Sequence, residues 1–391
     1  PKKIELTFEQ SKAYDTYSNM LLNTGGSGLL YGVTGSGKTQ VYLKLIDKAL
    51  ENDRDVIVLV PEISLTPQVL SIFHARYGDK VAVFHSGLSL GERNDEYKRA
   101  DRGEAKIVIG TRSAVFAPLH NLGLIIMDEE QESTYKSERT PKYNTKDVAH
   151  FRCKYNKALF LMTSATPSLE TYSNALKGKY VLCELNERFG DAKLPHVITV
   201  DMKQEMKNGN KSPISSKLKE LISETIDNGK QAILLINRRG YNTFIACNDC
   251  GHVITCPNCS ISLTYHSTNN RLTCHYCGYT KSLDNVCPEC HSENIRYSGY
   301  GTQKIEDELS YLFPNARILR MDADTTSAKF SHEKLFNAFA NHEYDIMIGT
   351  QMVAKGLDFD NVTLVGVVNA DNSLYDESYN SAERCFDLIT Q

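Results

Sequence analysis

A short apolar run, Leu29-Leu30-Tyr31, feeds directly into Gly32-Val33-Thr34-Gly35-Ser36-Gly37-Lys38-Thr39, and an amphipathic stretch follows from Gln40 to Leu50. A buried strand, a glycine-rich loop and a helix in that order point to a parallel α/β sheet. The glycines let main-chain N–H groups close around phosphate oxygens at the start of the helix. In that frame Thr34, Gly35, Ser36 and Gly37 line the loop. Lys38 would reach the β/γ-phosphates, and the Thr39 hydroxyl would hold Mg²⁺. The spacing therefore predicts binding of ATP together with Mg²⁺.

Further apolar runs end in chemistry of their own. Asp55–Val60 stops at Pro61, and Leu122–Met127 stops at Asp128-Glu129-Glu130-Gln131. Paired carboxylates at the C-terminal end of a buried strand suit a metal ligand and a water-activating base, so Asp128 is expected on the metal and Glu129 as the base. Lys106–Gly110 leads to Thr111-Arg112, and Leu159–Met162 leads to Thr163-Ser164-Ala165-Thr166. Strands alternating with helical stretches predict a doubly wound parallel sheet over 1–185, with its ligand edge at the strand C-termini. The polar stretch 186–213 reads as a connection. A second α/β lobe is expected over 214–391, from the runs Gln231–Asn237, Asn315–Met321, Tyr344–Gly349 and Val362–Val368. It has no second glycine-rich phosphate loop.

Eight of the eleven cysteines fall between 247 and 290, as four Cys-x-x-Cys pairs: Cys247/Cys250, Cys256/Cys259, Cys274/Cys277 and Cys287/Cys290. That is metal spacing, and eight thiolates make two closed tetrahedral sites for structural Zn²⁺. Fourteen residues separate Cys259 from Cys274. They alternate, turn at Thr268-Asn269-Asn270 and return, which predicts a β-hairpin joining the second and third pairs. The first and last pairs are left to share the other ion, giving a nested zinc insertion over 246–292 in the second lobe. Cys153, Cys183 and Cys385 sit in apolar contexts and read as core fillers.

Composition adds limits. No apolar run approaches the length of a membrane span, so no membrane partner is expected. A net charge of −4 gives no global case for nucleic acid, so any DNA contact needs a local basic path. Cysteines at metal spacing in place of a disulfide framework, with no signal stretch read in the sequence, lead to the expectation of a reducing, cytoplasmic compartment. The first residue, Pro1, leads the chain to be read as a fragment.

Taken together, one lobe with the phosphate loop, one without it, and Gly-Thr turns at matching strand ends resemble a superfamily 2 helicase motor with two RecA-like lobes. Closer motifs are Leu59–Gln68, Asp128-Glu129-Glu130, Asn237-Arg238-Arg239-Gly240-Tyr241, the inserted cysteines and Gly349–Phe359. These resemble the bacterial PriA family of primosomal helicases over nearly the whole chain. The resemblance implies that Gln10 reads adenine. It implies that Thr111, Arg112 and Thr350 touch the backbone of single-stranded DNA, and that Ser164-Ala165-Thr166 couple hydrolysis to lobe movement. It also implies an aromatic-rich DNA-binding loop carrying Tyr135 and Tyr143, since aromatics beside cations suit stacking on unpaired bases. Where the family usually has His, this chain has Gln131.

The implied function is ATP-dependent 3′→5′ unwinding of forked DNA and primosome assembly at stalled forks in the bacterial cytoplasm. The implied partners are forked and single-stranded DNA, single-stranded DNA-binding protein and the primosome or helicase-loading proteins. A rival reading is an ATP-regulated assembly platform with weak motor activity, and a third is a double-stranded DNA translocase, against which the zinc insertion argues. The family's N-terminal DNA-binding domains and its final motor arginines are expected to lie outside Pro1–Gln391, which would leave nucleotide binding without DNA-stimulated turnover.

Overall fold

The computed structural model describes residues 5–61, 67–138, 140–188, 195–236, 243–247, 249–266, 271–274, 277–282, 286–298, 302–321, 331–350, 359–375 and 378–390. Of the motifs above, Glu62–Thr66, Asn237–Tyr241, the turn Thr268–Asn270 and Gln351–Asp358 lie outside the described residues. The chain divides into two compact units, carried by Pro1–Pro195 and His196–Ile389.

In the first unit the elements run α1 (Phe8–Asn19), β1 (Gly26–Gly32), α2 (Lys38–Glu51), β2 (Asp55–Leu59), α3 (Pro67–Tyr77), β3 (Val81–Phe84), α4 (Leu90–Asp101), β4 (Ile107–Gly110), β5 (Leu122–Met127), α5 (Thr145–Asn156), β6 (Leu159–Ser164), α6 (Leu169–Leu176) and β7 (Val181–Leu185). The seven strands form one parallel sheet in the order β3-β4-β2-β5-β6-β1-β7. The inner strands are mostly apolar on both sides because both faces are covered, with polar residues kept to their ends. Leu30, Val58, Ile109, Ile126 and Leu161 face one core layer, which α1 and α2 complete. Their neighbours Leu29, Ile57, Val108, Ile125 and Phe160 face the other, shared with α5. Helix starts follow local chemistry: Thr7 opens α1 and Ser89 opens α4, each with a reciprocal capping box.

Register decides where the site forms. Tyr31 lies opposite Ser164, Met127 opposite Met162, and Leu59 opposite both Met127 and Gly110. β2, β4 and β5 therefore end level, β6 runs two residues further and β1 three, and the loops that follow them open at one edge.

The second unit runs α7 (Met202–Lys207), α8 (Ser216–Asp227), β8 (Gln231–Ile236), β9 (Thr243–Cys247), β10 (Thr264–His266), β11 (Arg271–Thr273), β12 (Thr280–Ser282), β13 (Ile295–Ser298), α9 (Thr302–Leu312), β14 (Ile318–Met321), α10 (Ser331–Ala340), β15 (Ile346–Gly349), β16 (Val362–Val368) and α11 (Ser381–Thr390). Four strands make a parallel sheet, β14-β15-β8-β16, and the other five make an antiparallel one, β12-β11-β10-β9-β13. The hairpin expected between the second and third cysteine pairs is β10–β11, with Thr264 opposite Thr273. The cysteine-rich module is wider than 246–292, because β9 and β13 pair across its base and place Cys247 opposite Ile295.

Each Cys-x-x-Cys forms the same tight turn. The residue after the second cysteine donates its N–H to the carbonyl of the first: Gly251 to Cys247, Ser260 to Cys256 and Gly278 to Cys274 at 2.9 Å, His291 to Cys287 at 3.0 Å. All four donors sit in the left-handed region, with φ of 73°, 57°, 76° and 58° in that order. A Cβ is disfavoured there by about 1–2 kcal/mol, so the two turns without glycine carry strain. A Cβ at Gly278 would meet nothing within 4 Å, which makes that turn a test of backbone preference alone. Gly278→Ala should weaken zinc retention by roughly fivefold, about 1 kcal/mol, and Ser260→Gly should strengthen it by a smaller factor. Equilibrium competition with a chelator measures both, and changes of the same sign would refute the argument.

Candidate nucleotide and zinc sites

The phosphate loop lies where register places it, between the end of β1 and the start of α2. Gly35 and Gly37 both have φ of 78°, a conformation closed to other residues without strain. A Cβ on Gly37 would run into the Gln10 amide. Lys38 Nζ donates to the carbonyls of Gly32 (2.7 Å) and Val33 (3.4 Å), curling back over its own loop. Burial pulls the Lys38 pKa down, and the carboxylates of Glu129 and Asp128 push it back up. The Ser36 hydroxyl is buried and has no hydrogen-bond partner among the described residues. An orphaned donor between two left-handed glycines, in the same loop as a half-buried lysine, fits a phosphate chain. Thr34 and Thr39 are exposed at the same loop.

Gln10 joins this loop to a second feature. Its Nε2 donates to the Ser36 carbonyl (2.8 Å) and its Oε1 accepts from the Thr7 N–H (3.0 Å). An amide has a further donor and acceptor in hand. Gln10, Thr7, Phe8 and Arg188 line a cavity of about 250 Å³ next to Ser36. A flat heterocycle there would meet the free edge of the amide.

Opposite the loop, three consecutive carboxylates have three different partners. Asp128 accepts from the Thr163 hydroxyl (2.5 Å) and the Glu129 N–H (3.1 Å). Burial, with repulsion from Glu129, raises its pKa to about 6, and the Thr163 hydrogen bond opposes the rise. Glu129 has a φ of 48°, an uncommon value for a side chain of this size, and its carboxylate accepts from Gln131 Nε2 at 2.7 Å. Gln131 Oε1 in turn accepts from the Ser164 hydroxyl (2.6 Å), whose oxygen accepts from the Thr166 N–H (2.9 Å). The Gln at this position thus bridges the acidic turn to the loop after β6.

Glu130, which sequence reading left without a role, is the most buried of the three. Its side chain is fully enclosed and pairs with Lys146 Nζ at 2.5 Å. It also accepts from the Ser168 N–H (2.7 Å) and the Thr171 hydroxyl (3.0 Å), so it clamps the start of α6 to the acidic turn. The available signal was Lys146 itself, at the start of α5 sixteen residues later, but nothing local pairs the two.

The residues expected on DNA divide. Tyr135 is a correction: it is buried, and its hydroxyl lies 2.6 Å from the Asp128 carbonyl and 3.0 Å from the Leu59 carbonyl. It is a strut beneath the acidic turn and has no face to offer a base. Thr111 is also buried, where its N–H donates to the Phe84 carbonyl (3.0 Å), so its side chain is not presented to a ligand either. Arg112 is half-buried and donates from Nη1 to the Thr134 carbonyl at 3.3 Å. Tyr143 is half-buried and Thr350 follows the end of β15 in the second unit.

The cysteines form two nested clusters, as their spacing predicts. The Sγ atoms of Cys247, Cys250, Cys287 and Cys290 lie within 4.8 Å of one another, and so do those of Cys256, Cys259, Cys274 and Cys277. The nearest contacts, Cys247–Cys290 at 3.5 Å and Cys250–Cys287 and Cys256–Cys277 at 3.6 Å, approach the roughly 3.8 Å between sulfurs on a tetrahedral Zn²⁺. They are far beyond a disulfide bond of about 2 Å, and every cysteine is free. The N–H of Tyr279 helps hold the Cys277 thiol down to about 7, while burial and the neighbouring thiols push Cys259 of the same cluster up to about 12.

Two measurements follow. Metal analysis should find two zinc ions per chain, and Cys256→Ser should leave one, on the Cys247/Cys250/Cys287/Cys290 cluster. Lys146→Met should strand Glu130 and destabilise the first unit by about 3–5 kcal/mol, seen as a lower denaturant midpoint that Glu130→Gln partly restores.

Comparison with known proteins agrees with this geometry. Residues 10–175 match the DEAD/DEAH box helicase family model, and residues 256–281 match the PriA DNA helicase Cys-rich region domain. The replication restart protein PriA of Bacillus subtilis (strain 168) is 51% identical over 99% of this chain and 48% of its own length. Its counterpart in Synechocystis is 46% identical over 99% and 47%, and that in Haemophilus influenzae is 39% identical over 99% and 52%. The chain spans about half the length of these curated relatives. Among solved structures, the helicase MrfA bound to DNA superposes with a TM-score of 0.55 at 14% identity, covering 98% of this chain and 47% of that one, a likeness of fold alone. On its zinc module and its sequence kinship, the chain belongs to the PriA family of DEAD/DEAH-box helicases.

Proposed function

We propose that this chain is the motor core of an ATP-dependent DNA helicase that unwinds forked DNA with 3′→5′ polarity and takes part in replication restart. The observation that carries the reading is the meeting, at one sheet edge, of Lys38, an unpartnered buried Ser36 hydroxyl and the Asp128–Glu129 turn. The relatives' shared name, replication restart protein, supports the cellular role.

The residues divide the work as follows. The loop N–H groups and Ser36 cradle the triphosphate, and Lys38 exchanges its carbonyl contacts for the β/γ-phosphates. Thr39 and Asp128 are the residues that would hold Mg²⁺, which supplies charge neutralisation at the phosphates when bound. Glu129, aimed by Gln131, orients and deprotonates the attacking water. The bridge Glu129–Gln131–Ser164 carries a change at the phosphates to Ser164-Ala165-Thr166. Gln10 reads the adenine edge in the cavity beside Ser36. Arg112 and Tyr143, with Thr350 from the second unit, contact single-stranded DNA.

The remaining partners, single-stranded DNA-binding protein and the helicase-loading proteins of the primosome, belong to the same reading, as does a cytoplasmic location. None of the described helices is long and apolar enough to cross a membrane.

In the intact protein, Lys38→Ala should lower DNA-stimulated ATP turnover by about 10²–10³-fold, by analogy with removal of one charge-stabilising donor. Glu129→Gln should lower turnover by about 10²–10⁴-fold while nucleotide affinity stays within a few-fold. Strand displacement should follow turnover in both, on 3′-tailed and not on 5′-tailed duplexes. Full displacement by Lys38→Ala would overturn the motor assignment, and DNA binding with no displacement by the wild type would favour an assembly platform.

A further inference from the structure

Burial of Tyr135 removes one of the aromatics expected to meet DNA, but another stands outside. Phe116 ends the short helical turn Arg112–Phe116 that follows β4. Its neighbours Ala114, Val115 and Ala117 are fully or almost fully buried, while Phe116 is 53% exposed. The ring is not loose. It meets the Tyr143 ring edge to face, with centroids 5.0 Å apart and an interplanar angle of 72°. The turn beneath it is closed by Ala114 N–H to the Thr111 carbonyl (2.8 Å) and Ala117 N–H to the Ala114 carbonyl (3.0 Å), and Arg152 donates to the Val115 carbonyl.

The surroundings are cationic. Arg112 begins the same turn, and its hydrogen bond to Thr134 uses one of five guanidinium N–H donors. Lys142, next to Tyr143, is exposed. Lys136 is exposed and bridges in antiparallel fashion to Asn144, the residue after Tyr143. A braced aromatic face on a segment that also carries Arg112, with Lys136 and Lys142 exposed on the segment of its partner Tyr143, offers what an unpaired base and its flanking phosphates need. It is a poor match for a stacked duplex, which hides its base faces.

We propose that the exposed Phe116 ring, braced by Tyr143, is a stacking platform for one base of single-stranded DNA. This inference rests on the DNA-binding reading above, and it names a residue that the sequence motifs did not single out.

The chain contains no tryptophan, so Phe116→Trp places a single indole emitter at the site. Titration with an oligo(dT) strand should quench the introduced indole with the same midpoint that fluorescence anisotropy of a labelled strand gives. Phe116→Ala should weaken oligo(dT) binding by roughly 5- to 150-fold, the range expected for one lost stack. It should leave zinc content and helical circular dichroism unchanged, and Phe116→Trp should retain wild-type affinity. Arg112→Ala separates the two readings. If Arg112→Ala weakens binding but Phe116→Ala does not, and the introduced indole keeps its emission on bound strand, the stacking platform is overturned and the DNA-binding reading stands. If the wild type binds no oligo(dT) at all, both readings fall.

Discussion

Parallel pairing of β1, β5 and β6 is the constraint on which the first unit's chemistry depends. Parallel strands need crossover connections, so successive strand ends emerge on one edge. The register then sets which side chains meet there. Met127 opposite Met162 brings Asp128 beside Thr163, and Tyr31 opposite Ser164 puts the phosphate loop across from the same turn. A slip of one residue would turn each strand's core set toward the wrong layer. Because Leu30 and Phe160 belong to opposite layers, both layers resist such a slip.

Three adjacent carboxylates could not be buried together as free charges, and each is offset differently. Asp128 shares its burial with a hydroxyl and rises toward neutrality. Glu129 sits on left-handed backbone and is held by an amide. Glu130 has a full counter-charge in Lys146. Glu129 and Glu130 also reach the end of β6 and the loop after it, Glu129 through Gln131 to Ser164 and Glu130 directly to Ser168. The acidic turn and that loop are therefore one hydrogen-bonded body. Gln131 serves here without titrating, since an amide carries no proton on or off.

The zinc module solves a different problem. Its sheet is made of strands three to five residues long, too short to hold a core of any size. Its apolar cluster is built around Ile245, Ile254, Leu263 and Leu272 with Cys256 and Cys274 among them. Metal binding energy has to supplement that small cluster, and repeated tight turns aim the sulfurs.

Much of this was legible in the chain. The phosphate loop, the acidic turn and the cysteine pairs are local patterns, in which function requires fixed residue types at fixed spacing, and the main strands announced themselves as runs apolar on both faces. β3 and β7 did not, because edge strands are short and are covered on fewer sides, and β7 is partly exposed. The pairing of Glu130 with Lys146 depends on α5 returning across the sheet, and no spacing encodes it. The aromatics illustrate the same limit. Tyr135 beside cations and Phe116 within an apolar run suggest the reverse of what packing does. The fold puts the tyrosine ring beneath Asp128, where its hydroxyl meets two carbonyls, and turns the phenylalanine out. Sequence by itself determined the α/β class, the phosphate loop and the nested cysteine clusters, since those follow from neighbours in the chain. Only the tertiary structure decided which side chains are struts and which face a ligand, because burial is set by what distant segments bring against each side.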